Sequence, residues 1–414
     1  MITSAGMKIL HPKPNCGETM RSLLRRPLSW LWMGKTMRVL VIDDFLPDLR
    51  LGAGIPRMVE LLRALSVAGA KVTLFPTFES LIDQSDGVQT SAHGAIIIGD
   101  RRRDLGRFLA KTKDSFDAII VSRPHNMARF RQLVEENPEI VGSAIVVYDA
   151  EALFSARVEV QHKIRGTPMS AEEAKRRTDE EAGLARDAQL VLAVNQRTAE
   201  AFIAVGHPNV RILGHAISCQ PTPRPFATRD GFLFLGPTYG DDAPNSDAVI
   251  WFVEHVVPRL RGALRRDVSL MLAGVVKSPK VQARIGAGVT ALGVVSDLME
   301  CFSRTRVFVA PIRYASGIPL KVYHAAAYGV PAVVSPLLAD LLGWRNDREV
   351  LVAETPDDFA TACLRLHGDR DLWENIRAGA LQRTIEDCSV SRFDRTVEDI
   401  MAYITAMRRP RRIA

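Results

Sequence analysis

Lys321 and His324 lie three residues apart in the stretch 306–336, RVFVAPIRYASGIPLKVYHAAAYGVPAVVSP, and on a helix they would share one face. The apolar run 307–310 is short enough to be a strand buried on both faces. A loop over 312–318 then leads to a helix with Pro319 in its first turn and Gly329 as its stop, and a second strand covers 332–335. Open backbone N–H groups around Ser316, Gly317 and Ile318, where loop meets helix, would hold an anion. Lys321 adds a full positive charge in the first turn, where the helix dipole disfavours it unless an anion compensates; the bland reading is an exposed lysine with no role. His324 would exchange a hydrogen bond with a neighbouring hydroxyl, or merely cap a cleft between domains. An anion beside a hydroxyl-bearing group describes a nucleoside diphosphate.

The first half of the chain carries a second set of candidates. Gly52 and Gly54 lie in a loop after an apolar strand, where backbone can approach a ligand, and an ordinary tight turn is the equal reading. Arg57, just inside the following helix, would reach a phosphate there. Arg123 and His125 follow the apolar strand 118–121; Arg123 would bind a phosphate or pair with a carboxylate, and His125 would be functional or structural. Asp149 and Glu151 end another strand, one residue apart and hence on one side of an extended segment. They would orient an acceptor hydroxyl, or Asp149 would cap a helix.

These residues need a scaffold that gathers strand ends. Strand-like runs recur at 37–44, 71–75, 94–98, 118–121, 144–148, 190–194 and 210–213, with charged helical segments between them. A second series follows at 231–235, 268–272, 289–292, 307–310, 332–335 and 350–352. Alternation of this kind predicts α/β architecture: two doubly wound, Rossmann-like parallel sheets, with sites beyond the carboxyl ends of the strands. The expected domains are 37–217 and 231–390, joined by a proline-bearing linker at 218–230. A helix within 391–414 would cross back to the first domain and end in a basic tail. Residues 1–36 read as a disordered leader or a start-site artefact, or else as a basic, Trp-bearing arm touching a membrane surface.

The donor-loop stretch resembles that of family-4, or group 1, GT-B glycosyltransferases, in a subgroup with a G-x-K-x-K-like loop. Other segments of 37–407 extend the likeness: Gly231 to Tyr239, Pro244-Asn245-Ser246-Asp247, Gly293-Val294-Val295-Ser296-Asp297, Ser122 to Asn126 and Tyr148 to Glu151. The resemblance implies the GT-B fold, with a nucleotide-sugar donor as co-substrate and no resident cofactor or metal. It places the donor against Ser316, Gly317, Ile318, Lys321, His324, Asn245 and Val294, the last at the nucleobase. It implies transfer to a hydroxyl of a glycan, a lipid-linked or a small-molecule acceptor, with retention and no metal ion, and by analogy a role in surface polysaccharide or glycolipid synthesis. The family usually carries glutamates where this sequence has Ser316 and His324. A catalytically silent module binding nucleotide-sugar or glycan is therefore the second reading, and a GT-B sugar-nucleotide epimerase the third.

Bulk properties narrow the classes further. The chain has 414 residues, 47% hydrophobic and 24% charged, enough for two cores. A net charge of +7 suits anionic partners, but no helix-turn-helix, RNP or finger pattern supports nucleic acid. Five scattered cysteines without a C-x-x-C pair argue for a reducing compartment and against a zinc site. The D-x-D at Asp369 to Asp371 falls between late helices and reads as a helix start. No apolar run has the length of a membrane span, so the expected place of work is the cytoplasm, peripherally at the inner face of the membrane where an acceptor requires it.

Overall fold

Two sheets follow one another along the chain in this computed structural model, which describes residues 36–44, 55–77, 88–90, 94–98, 104–295 and 297–408. The first eight strands are β1 (Arg38–Asp43), β2 (Lys71–Pro76), β3 (Val88–Thr90), β4 (Ile96–Ile98), β5 (Ala118–Ser122), β6 (Ile145–Asp149), β7 (Leu190–Ala193) and β8 (Val210–Ile212). They form one sheet in the order β3-β4-β2-β1-β5-β6-β7-β8. The second sheet contains β9 (Asp230–Leu235), β10 (Leu270–Ala273), β11 (Val289–Gly293), β12 (Thr305–Ala310), β13 (Ala332–Val334) and β14 (Leu351–Val352). Its order is β11-β10-β9-β12-β13-β14. Central strands such as β5 and β6 are apolar up to their last residues, Ser122 and Asp149, and almost wholly buried, because helices cover both faces of a parallel sheet.

Pairing is parallel throughout except for β3, which runs antiparallel to β4. That exception corrects the wholly parallel expectation: three residues, Val88-Gln89-Thr90, form an edge strand too short to carry a periodic signal. Each sheet reverses its direction of winding once, between β1 and β5 in the first and between β9 and β12 in the second. The crevice at such a switch point is where open α/β sheets hold ligands. The carboxyl ends of these four strands lead into Asp43-Asp44, Arg123, Gly236 and the 312–318 loop.

Helix Val390–Arg408 packs on helix Ile55–Val67 of the first half. Arg63 pairs with Asp394, the Tyr403 hydroxyl donates to Asn209 Oδ1 at 2.7 Å, and Arg408 reaches Asp117 at 2.6 Å. The connection between the sheets runs beside the end of helix Arg370–Cys388, where the Ile217 N–H donates to the Cys388 carbonyl at 2.7 Å. Asp369 caps that helix, accepting from the Leu372 N–H. Among the described residues no helix is long and apolar enough to cross a membrane. The leader, Gly52, Gly54, Ser296 and the basic tail beyond Arg408 lie outside the described residues.

Candidate active site

The helix carrying Lys321 runs Leu320–Ala327, so Pro319 occupies its N-cap and not its first turn. Gly329, at φ +72°, ends it in the left-handed conformation that glycine adopts without strain. Lys321 is half-buried, its ammonium held beside Phe234, Gly236 and Asn245. It donates to Asn245 Oδ1 and sits 4.5 Å above the Phe234 ring. Among the described residues it has no carboxylate partner, and burial alone lowers it to about 7.

The space around this ammonium is kept open by backbone. Gly236, at φ +144°, ends β9; a Cβ there would come within 2.7 Å of Asn245 Nδ2 and 3.1 Å of Lys321 Nζ. Thr238 Oγ1 and Ser246 Oγ, flanking the same loop, are buried without a hydrogen-bond partner. An ammonium without a carboxylate, beside a loop flanked by two unpaired hydroxyls, describes a place for an anion.

The other expected donor contacts are spread around this point. Ser316 and Gly317 line a cavity with Leu153, Asn195, Thr198 and Leu341 from both halves of the chain. Gly317 (φ +73°) packs so closely on the first half that a Cβ would stand 3.0 Å from Ala152 Cβ. His324 is held neutral by burial, and so is His215. After burial, His215 is further opposed by the charge of Arg57, and its Nδ1 has no hydrogen-bond partner. Val294 is 50% exposed at the end of β11, on the outer flank of the same edge. The two halves also meet at Asp242, whose carbonyl accepts from the Tyr314 hydroxyl at 2.5 Å and from Gln161 Nε2 at 3.3 Å.

On the first sheet the expected roles change. Arg57 is 1% exposed and committed within the protein: to both Asp149 oxygens, to the Leu213 carbonyl at 2.9 Å and to the Gly214 carbonyl at 3.1 Å. This corrects its reading as a phosphate ligand, since its guanidinium has no free fork to offer. Asp149 correspondingly faces Arg57 and not an acceptor. Nor does it cap a helix: Phe154–Ile164 has Leu153 at its N-cap, and Glu181 takes the Phe154 and Ser155 N–H groups at 2.7 Å each.

Arg123 (φ +76°) turns back into three carboxylates: Asp43 at 2.8 Å, Asp44 at 3.3 Å and Glu151 at 3.6 Å. This corrects its phosphate reading in favour of the carboxylate pairing. His125 Nε2 lies 2.6 Å from Asp44 Oδ1, which Asn126 Nδ2 also contacts at 2.8 Å. Glu151 leaves the extended geometry expected of it, at φ +49°. Its carboxyl is 16% exposed, with Oε1 buried and without a hydrogen bond, 3.6 Å from Arg123. Burial raises Glu151 to about 8; Arg123 opposes this, and the charge of Asp43 adds to it. Asp43 is raised by burial too.

Residues 229–369 match the family model described as glycosyl transferases group 1. The second sheet is thus similar to that of group 1 glycosyltransferases. Solved structures share its fold across nearly the whole length. Sucrose-phosphate synthase from Thermosynechococcus elongatus aligns with a TM-score of 0.69 at 15% identity, covering 90% of this chain and 100% of the other. A trehalose-phosphate synthase (UDP-forming) from Burkholderia vietnamiensis gives 0.64 at 12%, covering 92% and 99%. Anabaena HepE in complex with UDP and glucose gives 0.61 at 14%, covering 89% and 100%. No curated protein matches the chain. The fold is GT-B.

The second half of the chain thus brings together Lys321 and Asn245, with Ser316 and Gly317 facing the first half. Sequence reasoning did not single out Asp43, Asp44, Phe234, Gly236, Thr238, His215 or Ser246. The signal for Asp43 and Asp44 was present: two carboxylates at the carboxyl end of a switch-point strand. Thr238 and Ser246 had no such signal, since an isolated hydroxyl in a loop or first turn is common. Among the described residues no group of His, Cys, Asp and Glu is arranged to hold a metal ion.

Proposed function

We propose that this protein transfers a glycosyl unit from a nucleotide-sugar to a hydroxyl acceptor. The observation that carries the reading is the Lys321 ammonium, held at the carboxyl end of β9 without a carboxylate. A diphosphate entering between Gly236, Asn245 and Lys321 supplies the missing counter-charge and restores the proton that burial disfavours. As the bond to the sugar breaks, negative charge grows on the leaving phosphate, and Lys321 stabilises it where water is excluded. Retention without a metal ion follows from the family resemblance, the leaving phosphate itself taking the acceptor proton. The nucleotide-sugar is a co-substrate, the acceptor a glycan, lipid-linked or small-molecule hydroxyl. Surface polysaccharide or glycolipid assembly, in the cytoplasm or at the inner face of a membrane, is the setting this reading favours.

The test is calorimetric titration of UDP, GDP, ADP and TDP into wild type and Lys321→Ala. Selective binding of one nucleotide, weakened at least tenfold in the variant, supports the assignment. Binding unaffected by the substitution moves the phosphate elsewhere, and no binding of any nucleotide overturns the transferase reading.

One observation favours a second reading. Ser316 and His324 give the donor loop no carboxylate, so a module that binds nucleotide-sugar without turnover shares the same pocket. Release of nucleotide from any donor rules the silent module out.

A further inference from the structure

Glu151 stands out on the first-half wall of the cleft. It is a non-glycine residue in the left-handed region at φ +49°, a conformation that costs free energy and persists only where its surroundings enforce it. Its Oε1 is buried with no hydrogen-bond partner, which a native structure rarely leaves unexplained. Its nearest cation, Arg123, stands 3.6 Å away and is already engaged by Asp43 at 2.8 Å and Asp44 at 3.3 Å. Its backbone meets the donor loop: a Cβ on Gly317 would lie 3.7 Å from the Glu151 carbonyl and 3.0 Å from Ala152 Cβ. Strain, a buried carboxyl oxygen with a distant cation and no hydrogen bond, and contact with the opposing loop therefore converge on one residue.

We propose that Glu151 is a sugar-binding residue: its carboxyl exchanges a hydrogen bond with a hydroxyl of the donor glycosyl unit, reaching across from the first half of the chain. This rests on the donor-site reading above. The location suits it, because the 316–317 loop that leads to Lys321 lines a cavity between the halves and packs on Ala152 and the Glu151 carbonyl. The carboxyl is also versatile. Raised to about 8 by burial, against Arg123 and with Asp43, Arg57 and Asp149 also facing it, it holds a proton at neutral pH and can donate as well as accept. The consequence is a preference for nucleotide-sugar over bare nucleotide that the second sheet alone does not provide.

The test compares binding of the preferred nucleoside diphosphate with its glucose, galactose, mannose and N-acetylglucosamine conjugates, in wild type, Glu151→Ala and Glu151→Gln. Wild type binds at least one conjugate more tightly than the bare nucleotide. Glu151→Ala keeps nucleotide affinity but loses the sugar preference by about tenfold. Glu151→Gln, which can still donate and accept, keeps most of it, showing that the effect is hydrogen bonding and not collapse of the wall. A wild type that prefers no conjugate overturns the proposal, as does Glu151→Ala with its preference intact. Glu151→Gln losing nucleotide affinity as well would make Glu151 a structural residue, again against it. Wild type that binds no nucleotide fails at the donor-site reading instead, a result recognisable before any variant is measured.

Discussion

If Lys321 grips the donor diphosphate, nucleotide-sugar affinity must depend on pH in a defined way. In the empty site burial holds the ammonium at about 7, against 10.5 for an ordinary lysine. At pH 9 only about one molecule in a hundred then carries the proton, since each pH unit beyond the pKa changes the ratio tenfold. The diphosphate binds the charged form and so must draw a proton from solvent. The dissociation constant should be nearly flat below pH 7 and rise about tenfold per unit above it, until it meets the higher pKa of the complex. At pH 8 close to one proton should be taken up per ligand bound. A nucleotide-sugar is the ligand to use, because its diester phosphates do not themselves titrate in this range. Calorimetry at pH 8 in two buffers of different ionisation enthalpy reads the proton count directly, and repetition from pH 6 to 9.5 reads the slope. Lys321→Met should bind weakly with neither effect. Zero proton uptake at pH 8, or the same slope in wild type and Lys321→Met, would refute the reasoning.

Two further substitutions test stability. Lys321→Met removes a group that the folded state prefers neutral. Between pH 7 and 10.5 the unfolded chain binds the extra proton, so wild-type stability rises with pH across that window. The variant should gain up to roughly 4 kcal/mol in urea unfolding at pH 6 and little at pH 10.5; a pH-independent difference counts against an enclosed ammonium. Arg57→Leu strands Asp149 in the interior and strips donors from the Leu213 and Gly214 carbonyls. It should cost about 3–5 kcal/mol, partly recovered when Asp149→Leu is added, and a loss below about 1 kcal/mol would mean the pair is not buried as described.

The architecture was legible because it rests on local pattern. Runs such as Ala118-Ile119-Ile120-Val121 can only be strands covered on both faces, and their alternation with helices dictates a parallel sheet. The place of Lys321 in a first helical turn was legible for a related reason, since Pro319 and Gly329 bracket a short helix. The first-half site was harder. Arg57, Arg123 and Asp149 are the residue types that phosphate and hydroxyl binding would use, and they follow strands where ligands lie. Yet Arg57 and Asp149 satisfy one another across 92 positions of sequence, a pairing that no local window reveals. The backbone of Glu151 was not legible either, since left-handed φ at a glutamate has no sequence signature.

Lys321 and Glu151, read together, give the cleft a consistent electrostatic state. Burial pushes one down to about 7 and the other up to about 8. Their effects on stability run in opposite directions. Glu151 is held protonated while the unfolded chain releases its proton, so its contribution falls as pH rises from 4.5 to about 8. Lys321 is held neutral while the unfolded chain keeps its proton, so its contribution recovers only as pH climbs from about 7 to 10.5. Near pH 7.5 both are mostly neutral, and each costs on the order of 4 kcal/mol relative to ionising freely in water. A fold with no use for these groups would relieve that cost by exposing or replacing them. A diphosphate beside Lys321 relieves half of it by restoring the ammonium, which turns stored folding cost into selectivity for an anionic ligand. A sugar hydroxyl leaves the other half in place, for Glu151 can meet it in its protonated form. The phosphate end of the donor should therefore govern the pH dependence of binding, and the sugar end should govern which donor is chosen.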